Sequence, residues 1–259
     1  MHKFTRATLT VLAASLALSA CGGGKSAKPK GEARYVARDV ETLYGNAKQL
    51  LDQKRFAEAA AIFDEVERQH PYTVWARRAE LMSAFAHWAS RDYPNAIQAA
   101  QRFLSLHPGY KDAPYAYYII AISYYEQIND PQRDSKTTYQ AKDALTELIR
   151  RYPNSDYAAD AKLKLDLVQD ALAGKEMEIG RFYQRRKDWL ASTIRFRNVV
   201  DNFGTTNHVP EALERLVESY LALGLPEEAK KAGAVLNYNY PGSVWYERAY
   251  ELLKDNKAA

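Results

Sequence analysis

Between Arg181 and Arg197 the chain carries Arg181, Arg185, Arg186, Lys187, Arg195 and Arg197 against a single acid, Asp188. Guanidinium groups bind carboxylates through paired hydrogen bonds that lysine does not reproduce. Arg185, Arg186 and Lys187 fall where a helix C-terminus favours cations, a bland use of their charge. Arg195 and Arg197 stand in the following helix among Ile194, Phe196 and Val199, turned off the apolar side. They are the candidates for contact with an acidic protein partner, with Arg181 and Tyr183 beside them. On this reading Arg195 lies off the core face, and Arg195→Glu would leave the thermal midpoint nearly unchanged. A second set of candidates is aromatic. Tyr115, Tyr117, Tyr118, Tyr124 and Tyr125 crowd one helix, and Tyr72 follows Pro71. A tyrosine ring is apolar while its hydroxyl stays wet, which suits a peptide groove; Tyr72, Tyr115 and Tyr118 are the groove candidates. His2, His70, His87, His107 and His208 show no ligand spacing. The chain has no nucleophile elbow, phosphate loop or zinc-binding cysteine pair. These patterns point to binding and away from catalysis, with no metal or cofactor expected.

The one residue type that invites covalent modification is cysteine, and Cys21 is the only one in 259 residues. It follows Leu18-Ser19-Ala20, after a start bearing Lys3 and Arg6 and an apolar run from Ala7 to Ala20. That run is short for a mature membrane span and has the layout of a signal peptide over residues 1–20. An ordinary secretory signal is one reading. The other is a bacterial lipobox, in which the Cys21 thiol takes a diacylglyceryl thioether and the new N-terminus is acylated. Each buried methylene contributes about 0.8 kcal/mol, so several acyl chains hold a protein on a membrane. Gly22 in place of Asp after the cysteine agrees with release to the outer membrane. Residues 21–31, rich in Gly and Lys, read as a flexible tether. A lone cysteine leaves no disulfide framework.

The elements that position these residues are helices. Phe56-Ala57-Glu58-Ala59 through Phe63 and Val66 keeps an apolar face at helical spacing until Pro71 stops it. Similar stops recur at Pro108, Pro153, Gly204 and Pro241, at strides of 37, 45, 51 and 37 residues, against roughly 34 for an unexpanded tetratricopeptide (TPR) repeat. The same register precedes each stop: Tyr93/Ala96/Ala100/Phe103, Ala141/Leu145/Leu148, Trp189/Ser192/Phe196/Val199 and Leu225/Ala229/Gly233/Leu236. One helix pair cannot bury such a face alone, so neighbours must share a core. The fold is therefore all-α: an α-solenoid of five TPR-like hairpins with a C-terminal capping helix built on Val244, Trp245, Tyr250 and Leu253. Repeats one to three span residues 32–153, and repeats four and five with the cap span 154–259. Val36, Val40, Leu43, Ala47, Leu50 and Leu51 face the first core; Trp75 and Trp88 are expected between repeats. Asp92 and Asn154-Ser155-Asp156 are expected helix caps. The long third stride places an insertion over 128–138, a solvated loop or a binding flap. The net charge of +4 falls by two when the leader leaves with Lys3 and Arg6. That balance, with no basic stripe of stacking aromatics, argues against nucleic acid.

Taken together, the lipobox, the tether and the five irregular repeats resemble the BamD family (older names ComL and YfiO), TPR lipoproteins of the outer-membrane β-barrel assembly machine. The most telling pieces are His70-Pro71-Tyr72 with the helix from Trp75-Ala76 to Trp88, the Asp130-Pro131 insertion, Arg151-Tyr152-Pro153-Asn154-Ser155, and Phe182-Tyr183 leading to Trp189. The chain departs from the family pattern at Phe203-Gly204, where a Tyr-Pro stop is usual. The resemblance implies an outer-membrane scaffold facing the periplasm, beside other assembly-machine lipoproteins. It implies that the C-terminal repeats bind a periplasmic POTRA domain of BamA, with Arg195 matching the family's arginine in that contact. It also implies that the N-terminal repeats receive C-terminal signals of unfolded β-barrel proteins. Two other envelope roles fit the same repeats: an adaptor of pilus assembly, or a protein acting at peptidoglycan. The anchor has a direct test. Cys21→Ala is expected to leave the outer-membrane fraction and accumulate as a soluble or uncleaved form, and retention of cleaved Cys21→Ala protein there would contradict the lipobox.

Overall fold

A computed structural model describes residues 39–128 and 135–258; these form eleven α-helices and no strand. The leader, Cys21, the tether, Val36 and positions 129–134 of the insertion lie outside the described residues. The helices belong to one compact unit, Arg38–Ala259. They pair as five hairpins: α1 (Val40–Asp52) with α2 (Phe56–Gln69), α3 (Val74–Ala89) with α4 (Tyr93–Leu106), α5 (Ala113–Glu126) with α6 (Ser135–Arg151), α7 (Asp156–Arg185) with α8 (Trp189–Asn202), and α9 (Val209–Ala222) with α10 (Pro226–Asn239). A last helix, α11 (Val244–Ala258), packs on α9 and α10. Within the hairpins each helix packs chiefly on its chain neighbours, whereas α11 packs chiefly on α9; the first helices of successive hairpins also meet, α1 on α3, α3 on α5 and α5 on α7. This is the nearest-neighbour stacking of a TPR solenoid.

The buried registers are those the spacing predicts. Ala59, Phe63 and Val66; Ala96, Ala100 and Phe103; Ala141, Leu145 and Leu148; Ser192, Phe196 and Val199; and Ala229 and Leu236 are all fully buried. Three apolar clusters result, each drawing on more than one hairpin. The first joins Leu43, Ala47, Phe63 and Val66 to Ala79 and Ala86 of α3. A phenylalanine taken wholly from water contributes about 1.5–3 kcal/mol, and Phe63, Phe103, Phe196 and Phe203 are so placed.

Turns repeat as faithfully as helices. Four hairpins reverse through one left-handed residue, Lys54, Arg91, Lys187 or Gly224. In each the following N–H reaches back five residues, as in Arg55 N to Leu50 O and Asp92 N to His87 O, which closes the orphan carbonyls of the first helix. The second helices end alike at His70, His107, Phe203 and Tyr240, with φ from −130° to −136°. Phe203-Gly204 thus keeps the stop without proline. Its N–H bonds Val199 O at 3.0 Å and its buried ring ties the chain to the core.

Several local expectations are corrected. Ile194, Leu225, Val244 and Tyr250 are exposed; the last helix packs Trp245 and Leu253 on the core as expected, and adds Ala249 and Leu252. Trp75 and Trp88 do pack between repeats as expected, half-buried at the edges of clusters that draw on two hairpins. Positions 135–138 of the insertion are helical, the first turn of α6. Asp92 stands at an N-cap position, but its carboxylate accepts from Asn95 Nδ2 at 2.7 Å. The Ser155 hydroxyl donates back to Tyr152 O.

One close approach fixes how α7 meets α8. A Cβ on Gly180 would lie 2.5 Å from the buried Phe196 ring, whereas one on Gly45 would meet nothing within 4 Å. Both glycines are helical, so alanine should gain about 1 kcal/mol of propensity at each. Overpacking costs about 1–3 kcal/mol and applies only at Gly180. Gly45→Ala is expected to raise the thermal midpoint by roughly 2–4 °C and Gly180→Ala to lower it. Equal midpoints by circular dichroism would contradict this packing.

Candidate functional site

Where α2, α3 and α4 converge, a groove of about 710 Å³ opens between Asp64, Glu67, Arg68, Pro71 and Tyr72 on one side and Arg77, Glu80, Arg102 and His107 on the other. Tyr72 is 99% exposed at its rim and holds a left-handed backbone, φ 65°. The equivalent residue after the proline of the last hairpin is Gly242, φ 73°. A bulky side chain in that region is strained by about 1–2 kcal/mol, a cost often kept where a residue serves a ligand.

The groove wall is charged and only partly paired. Arg102 Nη2 bonds Glu67 Oε2 at 2.7 Å and lies 4.0 Å from Asp64. Asp64 also accepts from Ser83 Oγ at 2.5 Å and lies 3.5 Å from His87 Nε2. Burial works against the Asp64 charge, but His87 and Ser83 outweigh it and hold the carboxyl below its usual range. Glu80 is different. It is 5% exposed, and its Oε2 has no hydrogen bond. Burial, then the nearby Glu67 charge, push its carboxyl up to about 7 against the pull of Arg102 and Arg77. His107 Nε2 lies 3.3 Å from Glu80 Oε2, yet burial and the Arg77 charge lower the imidazole's affinity for a proton, which works against an ion pair there. Arg77 Nε is likewise buried without a hydrogen bond, its guanidinium 4.8 Å from the Tyr110 ring centre.

Tyr115 and Tyr118 do not join Tyr72 here. Tyr118 stacks on Tyr157 at 5.1 Å and donates to Asp160 Oδ2 at 2.7 Å; Tyr115 packs on the same Tyr157 ring at 5.3 Å. Burial pushes the Tyr115 hydroxyl up to about 12. These two tyrosines bond the third hairpin to the fourth.

The basic stretch is also partly spent inside the fold. Arg195 Nη1 lies 3.2 Å from Glu176 Oε2 of α7, with side chains 39% and 11% exposed. Arg181 bonds Glu211 of α9 at 3.1 Å. Gln184 joins Arg215 and Glu218 to the same network. Tyr183 is half-buried, with its ring edge-on to Phe182 at 5.5 Å. Arg197 reaches only Asp201, at 3.9 Å with both side chains exposed, a pair worth little. Leu190 and Ile194, 64% and 60% exposed, lie two turns and one turn before it on α8. The exposed residues of α8 are therefore Leu190, Ile194, Arg197, Asp201 and Asn202, with Arg195 at their margin.

Sequence reasoning missed Glu80, Arg77, Arg102 and Glu176. The available signal was a glutamate inside the Ala76/Ala79/Ser83 face of α3. Among the described residues no cluster of His, Cys, Asp or Glu is placed to hold a metal ion, and no helix is long and apolar enough to cross a membrane. The Glu176 pair overturns the expectation that Arg195 can be reversed at little cost. Arg195→Glu leaves a buried carboxylate facing another, at about 1–3 kcal/mol. The thermal midpoint should fall by several degrees and largely recover in Arg195→Glu/Glu176→Gln; an unchanged midpoint in the single variant would contradict the pair.

The chain matches a family model described as an outer membrane lipoprotein, YfiO, over residues 36–236. The outer membrane protein assembly factor BamD of Caulobacter vibrioides is 50% identical over 252 residues, 97% of this chain and 82% of that one. That of Rickettsia prowazekii is 43% identical over 253 residues, 98% of each chain, and that of Neisseria meningitidis serogroup A is 29% identical over 94% of each. With the hairpin stack in place and the match reaching from α1 into α10 of the fifth hairpin, the chain belongs to the YfiO family of outer membrane lipoproteins.

Proposed function

We propose that this protein is a lipid-anchored scaffold, not an enzyme, that serves assembly of β-barrel proteins at the outer membrane from the periplasmic side. The BamD relatives, whose name is that of an outer membrane protein assembly factor, support the general role. The groove between α2, α3 and α4 carries the finer reading. It has the size of a peptide site, an exposed aromatic at its rim and unsatisfied polar groups on its wall. Chain ends of unfolded β-barrel proteins, which carry an aromatic side chain and a carboxylate, match both features. The C-terminal repeats take the second partner. On α8, Leu190 and Ile194 give an apolar strip beside Arg197, the composition of an interface core with a charged rim. BamA, through a POTRA domain, is the partner that the family resemblance assigns to this half, with accessory lipoproteins nearby. Arg195 then acts from the edge of that contact, already oriented by Glu176.

The two surfaces are separable by mutation. Tyr72→Gly removes the rim aromatic and relieves the left-handed strain, so it should lose capture of barrel C-terminal peptides while raising the thermal midpoint by a degree or more. Ile194→Glu should retain peptide capture and lose co-purification with BamA. If Tyr72→Gly keeps peptide and loses BamA, the two halves are wrongly assigned.

A further inference from the structure

The groove glutamate has a counterpart in the same chain. Glu80 of α3 and Glu176 of α7 each stand eleven residues before the left-handed turn residue of their hairpin, Arg91 and Lys187. Both are buried. Glu176 is met by Arg195, eight residues after its turn, whereas the residue eight after Arg91 is Ala99. The position that neutralises the buried carboxylate in the fourth hairpin is thus apolar in the second. Glu80 Oε2 and Arg77 Nε are left buried without hydrogen bonds on the wall of the 710 Å³ groove. A buried polar group in that state costs about 1–3 kcal/mol, which a ligand bringing the matching atoms would recover.

We propose that Glu80 is the receptor for a peptide's C-terminal carboxylate: its carboxyl keeps a proton and donates it in a hydrogen bond to the incoming oxygen, Arg77 Nε–H donates a second, and binding takes up one proton whenever Glu80 is ionised. This rests on the reading that the groove binds chain ends, and adds how it reads them. Two carboxylates sharing a dry site cannot both ionise, so the protonated form is the one that binds. The groups around Glu80 set the balance. Asp64, Glu67 and Arg68 face the groove from α2, Arg77 from α3, and Arg102 and His107 from α4 and its end, with Tyr110 behind Arg77. Burial and Glu67 favour the proton on Glu80; Arg102 and Arg77 oppose it, leaving the midpoint at about 7. The sign follows. Affinity is fully present below that midpoint and is lost as pH rises through it, falling about tenfold between pH 6 and pH 8. His107 titrates below its ordinary value, so its own window lies lower.

The probe is an N-acetylated decapeptide ending in phenylalanine with a free carboxylate, measured by calorimetry against the full-length protein in detergent. The wild type is expected to bind about tenfold more weakly at pH 8 than at pH 6. Across buffers of different ionisation enthalpy it should take up close to one proton at pH 8 and close to none at pH 6. The amidated peptide should show no such fall, and Glu80→Gln, which keeps a donor and cannot ionise, should bind with one affinity at both pH values. Proton uptake in the wild type is decisive even if Glu80→Gln folds poorly. Binding of the free acid that is flat with pH, or a fall that persists in a folded Glu80→Gln, overturns the role of Glu80 and leaves the groove a chain-end site. Absence of binding at either pH overturns both.

Discussion

No hairpin of this chain can close a core by itself, and every other feature depends on that. Each second helix presents a strip of small and large apolar residues that its own hairpin leaves uncovered, as when Ala79 and Ala86 of α3 complete the cluster around Phe63. Stacking small residues against one large ring sets helix separations tightly; Gly180 under Phe196 is the extreme case. The α11 helix ends the series, placing Ala249 and Trp245 on apolar surface that a sixth hairpin would otherwise cover.

Stacking also decides which polar side chains stay available. A carboxylate on a first helix falls between layers, where it needs a cation from a neighbour. Glu176 and Glu211 find Arg195 and Arg181, which ties α7 to α8 and α9, while Leu190 and Ile194 stay exposed on α8. Glu80 finds no such partner, and Arg102, which faces it, is held by Glu67. Glu214 of α9 is also buried with Oε2 unbonded, but Glu80 shares its groove with a second unbonded group, Arg77 Nε, and a strained tyrosine at the edge.

How much of this was legible follows from the range of each interaction. The period of Ala59, Phe63 and Val66 is local, so the helices, their stops and the five-hairpin stack could be read from residues. Phe203-Gly204 looked like an exception because proline was taken as the stop, whereas the buried aromatic also makes it. The packing of Tyr115 and Tyr118 was not legible because Tyr157, the ring that engages them, lies about forty residues on in another hairpin. Arg195 looked free for the same reason, its partner lying nineteen residues back on α7. Tyr72 was recognised for its ring. Its strain is visible only beside Gly242, in the three-dimensional equivalence of two turns.

The central claim is that peptide chain ends enter between α2 and α4 while the C-terminal hairpins remain free for another partner. Amide hydrogen exchange on the full-length protein, with and without the free-acid peptide, reads this directly. The account predicts slowed exchange in residues 64–80 and 102–107 and unchanged exchange across α7 and α8. Slowed exchange in α7 and α8 with α2 to α4 unaffected would contradict it.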